Sequence, residues 1–102
     1  MGQGSPSVAI DGSGTHVVWE DAGDGDVDVY YRHFDGTAWW PEVEVSHDAV
    51  TEQQGAPDVA VDGGKVHVVY MGRPGTDNDI FYRSLDGDVW GSEAEVARAS
   101  AT

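Results

Sequence analysis

Val8-Ala9-Ile10-Asp11-Gly12-Ser13-Gly14-Thr15-His16-Val17-Val18-Trp19 returns 51 residues later as Val59-Ala60-Val61-Asp62-Gly63-Gly64-Lys65-Val66-His67-Val68-Val69-Tyr70. Each copy is a β-prone run, an Asp-Gly turn and a second β-prone run. The offset of 51 holds without a gap from Gly4/Gly55 to Val45/Val96, with 19 identities across 42 paired positions. Many remaining pairs keep size and polarity, among them Trp19/Tyr70, Val29/Ile80, Tyr30/Phe81 and Phe34/Leu85. The chain is a duplication, and the repeating unit sets the architecture.

Turn residues divide each unit into four short strands. In the first they are expected at Ser7–Ile10, Thr15–Glu20, Val27–Phe34 and Ala38–Val45, with Asp11–Gly14 and Asp35-Gly36 as tight turns. The second repeats them at Asp58–Val61, Val66–Met71, Asp79–Leu85 and Val89–Val96. No window carries a 3.6-residue apolar period, so the chain reads as all-β. Residues 1–3 form an extension, 4–54 a first unit with its linker, 55–96 a second unit, and 97–102 a tail.

Val17-Val18-Trp19 and Val68-Val69-Tyr70 are nearly continuous apolar runs. A sheet with one wet face alternates, so these strands are expected to be covered on both faces. A four-stranded meander between neighbours is the situation of a propeller blade. Two blades leave two faces bare, which predicts self-association. A dimer supplies four blades, a trimer six and a tetramer eight. A homotrimer closing six blades is the favoured count, with a tetramer next and a monomeric eight-stranded sandwich as the alternative fold.

Composition narrows the partners. Nineteen acidic residues against five basic ones give a formal net charge of -14 in 102 residues. Such a surface repels phosphates, so neither nucleic acid nor anionic membrane is an expected partner. The carboxylates are scattered through loops and strand ends rather than blocked, which suits a halophilic surface kept soluble at high salt. Cysteine is absent, which excludes disulfides and thiolate metal sites. No apolar run approaches membrane-spanning length, and Met1-Gly2-Gln3-Gly4 has no signal-peptide character.

Pro6-Ser7-Val8-Ala9-Ile10-Asp11-Gly12, Thr15-His16-Val17-Val18-Trp19, Asp28-Val29-Tyr30-Tyr31-Arg32 and Phe34-Asp35-Gly36-Thr37-Ala38-Trp39 together resemble the sialidase-like BNR or Asp-box repeat. The second copy runs likewise from Pro57 to Trp90. Ser84-Leu85-Asp86-Gly87-Asp88-Val89-Trp90 is one residue shorter than the box pattern, and His33 replaces its serine in the first copy. The resemblance implies a structural turn between third and fourth strands at Asp35-Gly36 and Asp86-Gly87, with Trp39 and Trp90 in the core. It also implies a secreted or cell-surface parent protein. The other loops, 21–27, 72–78 and 46–56, are then expected on the opposite face, where resembling enzymes and lectins hold sugar. Two-blade lectins that trimerise into six-bladed rings are similar in architecture only.

Sialidase chemistry is not expected. That activity needs three arginines on a carboxylate, and this chain offers Arg32, Arg73, Arg83 and Arg98, of which Arg32 and Arg83 are repeat-equivalent and read as structural. No catalytic elbow, phosphate loop or His-x-x-x-His spacing occurs. Asp24-Gly25-Asp26-Val27-Asp28 resembles an oxygen-ligand calcium loop but lacks the later glutamate, which favours a solvated loop without cofactor. His16 and His67 read as satisfied structural histidines. A sugar site needs aromatic faces beside polar groups, and Trp40 is the aromatic that the repeat does not require, since its counterpart is Gly91. The residues expected around a glycan are Trp40, Asp21, Asp26, Asp28, Arg73, Asp77 and Asp79. The expected function is a non-catalytic, self-assembling module with a carbohydrate on the loop face; the alternative is a purely structural propeller fragment.

Overall fold

The computed structural model describes residues 3–21, 28–45, 54–72, 79–87 and 89–97. Among these residues nine strands follow one another as β1 (Gln3–Asp11), β2 (Gly14–Asp21), β3 (Asp28–Phe34), β4 (Val43–Glu44), β5 (Gln54–Asp62), β6 (Lys65–Gly72), β7 (Asp79–Asp86), β8 (Val89–Trp90) and β9 (Ala94–Ala97). They form two antiparallel meanders, β1-β2-β3-β4 and β5-β6-β7 with β8 and β9 both paired to β7. The protein is all-β with two four-strand-wide antiparallel sheets, one per sequence repeat.

The duplication extends to irregularities. Both inner strands carry a register shift, between Gly4 and Ser7 and between Gly55 and Asp58. Ser5 and Ala56 each adopt φ 48 immediately before Pro6 and Pro57. Proline offers no N–H to a ladder, so an edge strand with a bulge is where it belongs. The inner hairpins differ. Gly63 and Gly64 both have positive φ, as a type I′ turn requires. In the first copy the Asp11 carboxylate instead accepts from the Ser13 N–H (2.9 Å), and the positive φ moves to Gly14 (132°).

The fourth strand was expected to run continuously and does not. In the first sheet it reduces to a bridge between Phe34 and Trp39 followed by β4, and in the second it splits into β8 and β9. Pro41 removes a donor from the first, and Gly91-Ser92 interrupts the second at the equivalent place.

One core lies between the sheets. Val18, Val29, Tyr31 and Val45 of the first sheet meet Val59, Val66, Val68, Tyr70 and Phe81 of the second. Pairing of Val18 with Tyr31 and His16 with His33 puts His16, Val18, Val29, Tyr31 and His33 on one face of the first sheet. In the second sheet Val68 pairs with Arg83 and Tyr70 with Phe81, which puts these on a common face. Shifting by 51 residues exposes the asymmetry. The counterparts of Val68, Tyr70 and Phe81 are Val17, Trp19 and Tyr30, on the far face of the first sheet. The two repeats therefore stack with opposite faces in contact, head to tail.

Candidate functional site

Two features of this stacking bear on function: a cleft between the sheets, and two bare faces outside them. The β1–β2 and β5–β6 turns and the box turns, which follow β3 and β7, share one end of the molecule. There a cavity of about 320 Å³ opens between the sheets, walled by His16, His33 and Trp40 on one side and by Val66, Leu85 and Trp90 on the other. Gly64 and Gly87 stand at its border, and a Cβ added at either would meet nothing within 4 Å.

The polar groups in this wall are tied to one another. His16 is 3 % exposed; its Nδ1 lies 2.7 Å from the Tyr31 hydroxyl, and its Nε2 faces Ser13 Oγ at 3.0 Å and Asp11 Oδ1 at 3.3 Å. Burial holds the His16 imidazolium below its ordinary value against the opposing pull of Asp11. The same burial pushes the Tyr31 hydroxyl up to about 12. Hydrogen bonds from Ser13 lower the Asp11 carboxyl. His33 stacks on His16 with ring centroids 4.5 Å apart, and Trp40 tilts against His33 at 5.1 Å.

Trp40 is anchored although it is 47 % exposed. Its indole Nε1 donates to Asp35 Oδ2 at 2.9 Å, and its carbonyl accepts from Arg32 Nε at 2.6 Å. Asp35 also accepts from the N–H groups of Thr37 and Ala38. These three donors, the indole first, hold its carboxyl down to about 2. Asp35 thus closes the turn after β3 and also clamps Trp40. In the second copy Asp86 lies 3.9 Å from Lys65 across the hairpin.

The other expected residues fall elsewhere. Asp21 pairs with Asp28 across β2 and β3, and Asp79 pairs with Gly72, all at the end away from the box turns. Trp40 is not brought together with them. Asp26, Arg73, Asp77 and most of the 24–28 loop lie outside the described residues. Trp90 packs on the core, edge-on to Tyr31 at 5.4 Å. Trp39, expected to fill core, is instead 48 % exposed, on the face of the first sheet turned away from the second. Arg32 and Arg83 are structural, each donating to the fourth-strand backbone and lying over Trp39 and Trp90 respectively. His33 was missed as a wall of the cleft; its replacement by Ser84 in the other copy was the available signal. Among the described residues no cluster of His, Asp or Glu is arranged to hold a metal ion.

Among the described residues both outward faces expose apolar side chains. On the first sheet Val8, Ile10 and Trp39 are exposed, with a shallow groove of about 300 Å³ bordered by Pro6, Val17 and Trp19. The Trp19 indole Nε1 is buried there with no hydrogen-bond partner among the described residues. The far face of the second sheet exposes Val69 and Ile80 beside His67 and Tyr82, whose side chains meet at 2.7 Å as His16 and Tyr31 do. Comparison of the chain with protein-family models, curated proteins and solved structures finds no match.

Proposed function

We propose that this chain is a non-catalytic assembly module whose copies join head to tail into a closed six-bladed ring of three. The observation that carries the reading is the opposite-face stacking of the two repeats. A heterologous contact leaves one unused half at each end, and those halves complement each other by construction. The far face of the second sheet is the repeat-equivalent of the face that packs inside the chain. The bare face of the first sheet is the repeat-equivalent of the face it packs against.

The internal contacts predict the external ones. Tyr31 against Trp90 becomes Tyr82 against Trp39 of the next copy. The bond from Arg83 Nη1 to the Val45 carbonyl, 2.8 Å, becomes one from Arg32 to the Val96 carbonyl. Ser7 Oγ donates to Asp58 Oδ1 at 2.8 Å, and these two residues are themselves 51 apart. Contact between repeat-equivalent groups is expected only close to a rotation axis, which puts β1 and β5 on the inside of a ring. The groove by Trp19 corresponds to the site that Pro57, Val68 and Tyr70 occupy, already buried, in the second sheet.

Small-angle scattering at molar salt tests the reading. The expected particle is a compact ring of three copies. Scattering from single two-sheet particles, or from open filaments, is incompatible with it. In the ring the 21–28 and 72–79 connections share one face, and a glycan there is the binding version of the same proposal.

A further inference from the structure

The cleft between the sheets is a different site from that loop face, at the other end of the molecule. We infer that it binds the ring of a neutral pyranose sugar, with Trp40 as the stacking platform. The fold does not need this indole: Gly91 does the same backbone work in the second sheet, where its N–H donates to the Ser84 carbonyl at 2.8 Å as the Trp40 N–H does to His33. An exposed tryptophan held by a clamp has lost its freedom before any ligand arrives, which lowers the entropy cost of stacking. Trp90 faces it from the other wall, and Gly64 and Gly87 leave the mouth open. A volume of about 320 Å³ is at the lower bound of small-molecule sites.

Charge selects the ligand. Asp11 and Asp35 are occupied by internal donors, and Arg32 is occupied by the Trp40 carbonyl. Among the described residues no guanidinium lines the cleft to receive a carboxylate, and the net charge of -14 repels anions at longer range. Acidic sugars and phosphorylated ligands are therefore poor candidates. A neutral pyranose offers what the walls match, a C–H face for indole and a hydroxyl that can donate to the Ser13 hydroxyl oxygen, whose own hydrogen is given to Asp11 while His33 Nε2 is engaged by the Ser13 carbonyl. The equivalent cleft between neighbouring copies would carry Gly91 and Ser84 in place of Trp40 and His33. The site therefore occurs once per chain, and both of its walls belong to the same chain. It does not depend on assembly.

The test is a nuclear magnetic resonance titration of the indole N–H signals with methyl glycopyranosides of glucose, galactose, mannose, fucose and N-acetylglucosamine. At least one should shift the Trp40 and Trp90 signals saturably, one equivalent per chain, with sialic acid inert. Trp40→Gly should weaken binding by about tenfold or more in a chain that stays folded, and Trp40→Phe should recover part of it. Three results would overturn the inference: no glycoside moving these signals, equal affinity in Trp40→Gly, or response only to wholly apolar rings such as cyclohexane derivatives.

Discussion

Placing one aspartate at two repeat-equivalent positions should produce two unrelated failures. Val59 is 7 % exposed and part of the core, whereas Val8, 51 residues earlier, is 59 % exposed. Val59→Asp removes a buried valine, about 2 kcal/mol of transfer free energy, and leaves a carboxylate without a partner at a further cost of several kcal/mol. That is comparable to the whole stability of a domain this size, so the variant should be largely unfolded. Val8→Asp sits in water in the free chain and should change its stability by no more than about 0.5 kcal/mol. In the ring Val8 acquires the surroundings of Val59. Each junction then loses about 1 kcal/mol of apolar burial and gains an unpaired carboxylate, together roughly 4 kcal/mol or three decades in association. Circular dichroism melting and light-scattering mass, at pH 7 and molar salt, separate the outcomes. The predicted pair is an unfolded Val59→Asp and a folded, monomeric Val8→Asp. A Val8→Asp variant with trimer mass would refute the head-to-tail interface.

Other expectations follow from single contacts. Gly14→Ala should destabilise the chain by roughly 2–3 kcal/mol, because φ is 132° and a Cβ would strike the Phe34 carbonyl, while Gly12→Ala should be tolerated in urea unfolding. The Asp35 carboxyl is depressed to about 2, so its contribution is complete above the ordinary carboxyl value near 3.8 and lost as pH falls through about 2. Trp40 fluorescence should change with that midpoint, and the change should vanish in Asp35→Asn. His16 is lowered by burial, so the unfolded chain takes up its proton first. Stability should drop as pH falls below the ordinary histidine value of 6.5, and a denaturation series from pH 7.5 to 5.5 should show a smaller drop in His16→Gln.

The sheets were legible because their signals are local. Asp-Gly turns and β-branched runs mark the inner and middle strands of both meanders, three in each, in the sequence alone. The broken outer strand was not legible, since apolar residues at Ala38, Val43 and Val45 outweigh Pro41 in a strand reading, although Pro41 removes the donor. The continuous run Val68-Val69-Tyr70 predicted cover on both faces, and in one chain only Val68 and Tyr70 receive it. The reading of two-sided burial therefore rests on a neighbour that a single chain does not contain.

The cleft was hidden for a different reason. It arises from which face of one repeat meets which face of the other, and no periodicity encodes that choice. What the sequence did expose was the mismatch Trp40/Gly91, and with hindsight His33/Ser84, at positions where everything around them repeats. The grouping of Trp40 with Asp21, Asp28 and Asp79 failed because a four-stranded meander sends the turn after its third strand and the loop before it to opposite ends.

Assembly is the central claim, and solution mass by light scattering coupled to size exclusion tests it most directly. Each copy carries -14, and the Debye length falls from about 30 Å at 0.01 M salt to about 3 Å at 1 M. The account predicts three chains per particle at molar salt and dissociation towards single chains as salt is removed. A folded single chain at every concentration and at both salt levels would contradict it.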